Sequence, residues 1–184
     1  MNRFQTEIVM RFKEYLLEAP QDEETIKEFL TETLGLHPSD FLIKEDNSVT
    51  LFSDLNIDAV HGQTLKRLPI KFNEIDGDIW INNCQLETLI GLPAIAENIY
   101  LINTRIKSLK YLPKTIHGDL VINNNRNLTS LEGCPDSVPG DFSCSDNHEL
   151  LSLEGGPKEV GKSYKIDTCN KLKSIEGIAS TIGK

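Results

Sequence analysis

From residue 79 onward the chain carries apolar triplets with a regular spacing: Ile79-Trp80-Ile81, Ile99-Tyr100-Leu101, Leu120-Val121-Ile122, Phe142-Ser143-Cys144 and Tyr164-Lys165-Ile166. Their starts lie 20, 21, 22 and 22 residues apart, a period that points to a solenoid of stacked repeats. The third residue after each triplet is Cys84, Thr104, Asn125, Asn147 or Cys169. An aliphatic follows shortly, as Leu86, Ile106, Leu128, Leu150 or Leu172, and a second one a helical turn's length further on, as Leu89, Leu109, Leu131, Leu153 or Ile175. Most units close with Pro93, Pro113, Pro135 or Pro157, then Ile95, Ile116, Val138 or Val160, then a polar turn such as Gly118-Asp119 or Gly140-Asp141. Proline and glycine punctuate where a chain reverses.

Alternation within a triplet sends its first and third side chains to one face of a strand and its middle one to the other. Stacked units therefore predict a parallel sheet. One unit cannot bury its own apolar face, so Ile81, Leu101, Ile122, Cys144 and Ile166 must pack on neighbouring units along a continuous core. At the slot held by Asn125 and Asn147 the chain turns while its backbone is buried, and an amide side chain can satisfy those groups from inside. Cys84, Thr104 and Cys169 take that slot in the other units. This makes Cys84 and Cys169 turn residues and Cys144 a core residue; Cys134, before Pro135, is expected to be partly exposed.

Residues 1–54 lack the repeat and read as two helices and a hairpin, an N-terminal cap over the solenoid of residues 55–184. Phe4, Ile8, Phe12 and Leu16 make Asn2–Ala19 amphipathic, and Pro20 ends it. Asp22-Glu23-Glu24 opens a second helix with Ile26, Phe29, Leu30 and Leu34 on one face and Gly35 as its stop. Phe41–Lys44 and Val49–Phe52 flank the polar Glu45-Asp46-Asn47-Ser48, which suits a hairpin. The open end of a solenoid exposes core, so a cap is the direct reading of this segment. The alternative is that the two helices form a contact or dimer face of their own.

The unit Leu120-Val121-Ile122-Asn123-Asn124-Asn125-Arg126-Asn127-Leu128-Thr129-Ser130-Leu131 resembles the leucine-rich repeat with one inserted residue. The short period and the phrases Leu131-Glu132-Gly133-Cys134-Pro135 and Leu153-Glu154-Gly155-Gly156-Pro157 resemble the short repeats of bacterial and tailed-phage proteins. The resemblance implies an α/β leucine-rich-repeat solenoid with a parallel sheet on its inner face, preceded by a small helical cap. It also implies a protein that binds proteins. In the phage form this would be an inhibitor or adaptor acting on a host protein, such as a defence protein, in the host cytoplasm.

Composition narrows the choices. The 184 residues are 39% hydrophobic and 26% charged, an ordinary globular balance. No apolar run approaches membrane-spanning length, and Met1–Ala19 lacks the layout of a secretory signal, so a cytoplasmic address is the expectation. Acidic residues outnumber basic ones 28 to 19, a balance that disfavours nucleic acid and anionic membrane as partners. The four cysteines form no Cys-x-x-Cys pair, so neither a zinc ribbon nor a redox motif is indicated. His37, His61, His117 and His148 occupy unrelated positions, and no phosphate-binding, nucleophile-elbow or zinc-protease motif occurs. Asp76, Asp78, Asp119, Asp141 and Asp146 lack the glycine-rich framework of a calcium ladder and read as turn residues. The expectation is a non-enzymatic protein with no cofactor and no metal.

Function then falls to the surface that the sheet presents. Its outward middle row is Trp80, Tyr100, Val121, Ser143 and Lys165, and the next outward row is Asn82, Ile102, Asn123, Ser145 and Asp167. With strands about 4.8 Å apart, Trp80, Tyr100, Ile102 and Val121 form one apolar island. The expected partner-binding residues are Trp80, Tyr100, Ile102, Val121, Asn82, Asn123 and Lys165, with Asp78, Asp119 and Asp141 as an acidic rim suited to a basic partner patch. Two alternatives remain open here: that the N-terminal helices cover the island, and that the chain is a self-assembling subunit joined through the Tyr164–Ile166 edge or through its N-terminal helices.

Overall fold

A computed structural model describes residues 22–60 and 65–183. The helix expected over Asn2–Ala19 and the residue His61 lie outside the described residues. The second expected helix is present as α1 (Glu23–Glu28), continued by a π-helical turn over Phe29–Thr33. Asp22 caps it by accepting the Thr25 N–H at 2.8 Å, which satisfies one of the backbone donors left over at a helix start. Ile26, Phe29, Leu30 and Leu34 are all buried, and Gly35 stops the helix at φ +68°.

The strands, in chain order, are β1 (Phe41–Ile43), β2 (Ser48–Leu51), β3 (Leu55–Ile57), β4 (Lys71–Ile75), β5 (Ile79–Asn82), β6 (Ile95–Ala96) and β7 (Ile99–Ile102). They continue as β8 (Thr115–Ile116), β9 (Leu120–Asn123), β10 (Ser137–Val138), β11 (Phe142–Ser143), β12 (Glu159–Val160), β13 (Tyr164–Lys165) and β14 (Thr181–Ile182). β1 and β2 form the expected hairpin, with Phe41 opposite Leu51 and Asn47 in the left-handed region at its turn. From β3 on, the odd-numbered strands stack in parallel as one six-stranded sheet in the order β13-β11-β9-β7-β5-β3. The even-numbered strands, joined by β1, lie on the return side in the groups β1-β2-β4, β6-β8 and β10-β12-β14. The architecture is a parallel-sheet solenoid of about six turns with one short helix near its N-terminal end. The coils carry short strands on their return side in place of helices. No helix among the described residues is long and apolar enough to cross a membrane.

The triplets pack as alternation requires. Ile79, Ile81, Ile99, Leu101, Leu120, Ile122, Phe142 and Cys144 are each 0% exposed. The two aliphatic positions behind them, from Leu86 and Leu89 through Leu150 and Leu153, are buried as well, so every coil between the ends is apolar on both flanks. Each such side chain contributes about 1.5–3 kcal/mol by leaving water. One position departs from the pattern: Ser143, a middle residue, is buried, because its Oγ donates to Asn123 Oδ1 at 2.9 Å and the small side chain lies down on the sheet. The last coil differs too. Tyr164, Ile166 and Leu172 are only half-buried and Ile175 is 66% exposed, since no described coil follows to cover them.

The slot after each triplet forms a ladder inside the turn. Asn147 Nδ2 donates to the carbonyls of Ile122 (2.6 Å) and Cys144 (2.8 Å), while its Oδ1 accepts the Asn125 N–H at 2.8 Å. Asn125 repeats this one coil earlier, donating to Leu101 O at 2.9 Å and accepting from both the N–H and the hydroxyl of Thr104. In the last coil the Cys169 thiol donates to Cys144 O at 3.2 Å, a weaker stand-in for the amide. Just before this slot, Asn83, Asn103, Asn124, Asp146 and Thr168 all have positive φ. Asn and Asp tolerate that conformation better than other non-glycine residues, which explains the recurrent polar residue there. On the return side Gly133 has φ +105°, and a Cβ there would stand 2.5 Å from Leu109 backbone, so adjacent coils meet at a position only glycine fits.

Candidate functional site

The face of the six-stranded sheet turned away from the core carries three outward rows, one residue per strand in each. The middle row and the one after it are the expected ones. Parallel register sets Asn56 beside Trp80, Trp80 beside Tyr100, Tyr100 beside Val121, then Ser143 and Lys165. Trp80 and Tyr100 stack with ring centroids 3.7 Å apart and planes within 11°. Both are half-buried and neither belongs to the core cluster. Ile102 and Val121, also half-buried, extend the apolar island from the Tyr100 side. α1 packs near β1 at the hairpin; the other expected helix lies outside the described residues.

The remaining expected residues divide. Asn82 sits beside Ile102, and its Oδ1 is buried without a hydrogen-bond partner among the described residues. Asn123 is engaged by the sheet itself, with Oδ1 accepting from Ser143 Oγ and from the Ser145 N–H, both at 2.9 Å. Lys165 is exposed on β13, three strands from Tyr100, so it stands apart from the aromatic pair.

At the start of each strand runs a second ladder. Asp54 Oδ1 accepts the Asp78 N–H (2.8 Å), Asp78 Oδ1 the Asn98 N–H and Nδ2–H, Asn98 Oδ1 the Asp119 N–H (2.6 Å), and Asp119 Oδ1 the Asp141 N–H (2.8 Å). Asp141 Oδ1 in turn accepts the N–H and the hydroxyl of Ser163. That hydroxyl first, and the N–H second, hold the Asp141 carboxyl below its ordinary range. The reading from sequence recognised Asp78, Asp119 and Asp141 as a rim. It missed Asp54 and Asn98, because the β3 unit has an irregular length and because an amide in a row of carboxylates does not show as part of a charge pattern. Among the described residues, Asp54, Asp58, Asp78, Asp119, Asp141 and Asp167 share this face with Lys165, and Lys162 lies at the margin 3.9 Å from Asp119. The Tyr100 hydroxyl registers this field: its pKa is raised by partial burial first, then by Asp119, Asp78 and Asp141.

Outside this face the polar chemistry is dispersed. His117 pairs with Glu97 at 2.9 Å and His148 Nδ1 donates to the Thr168 carbonyl at 2.9 Å, both away from the sheet's aromatic pair. Burial raises the pKa of all four thiols; Cys134, half-buried as a residue, has a desolvated sulfur pushed up to about 12. No group of His, Cys, Asp and Glu suited to a metal ion occurs among the described residues. A shallow depression of about 410 Å³ lies at the last coil, lined by Tyr164, Ile166, Cys169, Leu172 and Ile175. Compared with protein-family models, curated proteins and solved structures, the chain matches none.

Proposed function

We propose that this chain is a non-enzymatic protein-binding module of the short leucine-rich-repeat type that acts by occupying a surface of another protein. The observation that carries the reading is the Trp80–Tyr100 stack: two large aromatic rings outside the core, on strands that are hydrogen-bonded to a neighbour on either side. Rings held this way lose little entropy when a partner covers them, and each can contribute about 2 kcal/mol or more to binding. The likeness to tailed-phage repeats extends the proposal to a partner among host proteins, a defence protein included, with the module serving as inhibitor or adaptor in the host cytoplasm. That extension rests on analogy of sequence.

The test is affinity capture from a host-cell lysate with the wild-type chain and with Trp80→Asp/Tyr100→Asp, read by mass spectrometry. A protein retained by the wild type and lost by the variant, with the melting curve of the variant unchanged, supports the reading. Equal recovery by both baits moves binding off this face, and a collapse of the variant's melt places the pair in the core.

A second reading has an observation of its own. β13 is the edge of the sheet, and Ile175, Ile178 and Ile182 of the same last coil are 66%, 39% and 43% exposed. An apolar edge of this kind is a template for pairing with another copy. Mass that rises with concentration in light scattering, and falls in Ile175→Lys, would favour a self-assembling subunit.

A further inference from the structure

The strand-start ladder requires one acceptor oxygen per coil, and Asn98 supplies it without a charge. Its Oδ1 takes the Asp119 N–H at 2.6 Å, in the place where Asp54, Asp78 and Asp119 take the N–H of the next coil. Folding therefore does not need the carboxylates at those positions as charges. Like charges on neighbouring strands repel, so the row carries negative charge in excess of what the fold uses.

That surplus lies beside the aromatic pair. Tyr100 covers one face of Trp80 from the β7 side, and with the planes within 11° the opposite face of the indole is turned toward β3. Its register neighbour there is Asn56, which is short and exposed. Asp54 precedes Asn56 and Asp78 precedes Trp80 by one alternation each, so both carboxylates lie on the sheet face that carries the indole, on its β3 side.

We infer that the surface takes a basic segment of a partner protein, with an arginine guanidinium lying on the β3-side face of Trp80 beside Asp54 and Asp78. The inference rests on the reading of this face as a partner-binding surface and names the chemistry of what binds. A guanidinium is planar, stacks on aromatic faces and presents a fork of donors to carboxylates, whereas an ammonium offers a point charge that is harder to desolvate. Cation–π contact and carboxylate pairing thus act on the same group from different directions.

Trp80 is the single tryptophan of the chain, so its emission reports on this site directly. The full chain is titrated with acetyl-tetraarginine amide and, in parallel, with its uncharged tetracitrulline counterpart. The expected result is a saturable change of emission with the arginine peptide, none with the citrulline peptide, and an affinity at least about tenfold lower at about 500 mM than at about 20 mM NaCl. Asp54→Asn/Asp78→Asn should weaken binding about tenfold without lowering the melting temperature, because asparagine keeps the ladder as Asn98 does. Absence of a saturable response, an equal response to citrulline, or undiminished binding by the folded double variant would each overturn the inference. The two readings fail separately. Loss of the arginine response while Trp80→Asp/Tyr100→Asp still releases a captured partner leaves the binding face standing with other partner chemistry; loss of both removes the face itself.

Discussion

Replacing Asn147 by leucine removes a side chain of nearly the same size and shape while deleting every hydrogen bond it makes. Asn147 is 0% exposed, and the change strands the Ile122 carbonyl and the Asn125 N–H inside the turn, while the Cys144 carbonyl keeps only the Cys169 thiol. Each stranded backbone group costs about 1–3 kcal/mol. Two of them give about 2–6 kcal/mol, a large share of the roughly 5–15 kcal/mol that separates a folded domain from its unfolded chain. At about 2–4 °C per kcal/mol for a chain of this length, a mid-range loss of about 4 kcal/mol lowers the melting temperature by about 8–16 °C. Urea denaturation followed by circular dichroism measures the difference directly. A control is Asn127→Leu, whose amide is exposed and reaches Arg105 O only at 3.4 Å; it should change stability by less than about 0.5 kcal/mol. Asn147→Asp adds a test of sign. It keeps the acceptor for Asn125 but turns a second oxygen toward two carbonyls in a buried site, so its folded-state pKa lies above the unfolded value. The variant is then least stable at neutral pH and recovers as pH falls toward the unfolded carboxylate range. A loss under about 1 kcal/mol for Asn147→Leu, or stability of Asn147→Asp that does not improve on acidification, would refute the claim that this amide holds the turn.

Ile122→Asp should abolish cooperative folding, since a carboxylate would enter a core position that is 0% exposed; an unchanged melt would show that the strand register is wrong. Alkylation by iodoacetamide at pH 8 should be slow at Cys134, where a pKa of about 12 leaves a thiolate fraction of about 10⁻⁴, and should accelerate strongly in denaturant; equal rates in both states would contradict the burial of that sulfur. Ser163→Ala should move the Asp141 titration back up toward 3.8. The folded-state pKa of Asp141 is depressed, so the stability it contributes is present above the unfolded pKa and lost as pH falls through the folded one. A titration midpoint unchanged in carbon-13 NMR would remove Ser163 as the cause.

Much of the solenoid was legible along the chain. Triplets at 20 to 22 residue spacing give both the strands and their parallel stacking, and the hairpin Phe41–Leu51 and the capped helix after Asp22 are local patterns as well. Such features are set by periodicity and by residues a few positions apart, so a linear reading reaches them. The outward middle row was legible in the same way, because alternation alone assigns Trp80, Tyr100 and Val121 to one face.

Other features exist only between coils. The two-residue return strands β6, β8, β10, β12 and β14 are too short to show a period, and hydrogen bonds to the neighbouring coil define them. Asn98 is unremarkable in sequence and becomes part of a ladder only when Asp78 and Asp119 are brought to either side of it. Ser143 reads as an outward residue, yet Asn123 draws it down and buries it. Ile175 repeats the spacing of Leu153 but is 66% exposed, because burial requires a covering coil as well as an apolar side chain. The distance between two aromatic rings on different strands, and whether anything lies over them, depends on contacts between residues twenty or more positions apart. Local preference carries the strands and the period of this protein; stacking decides which side chains meet and which are left outside the core.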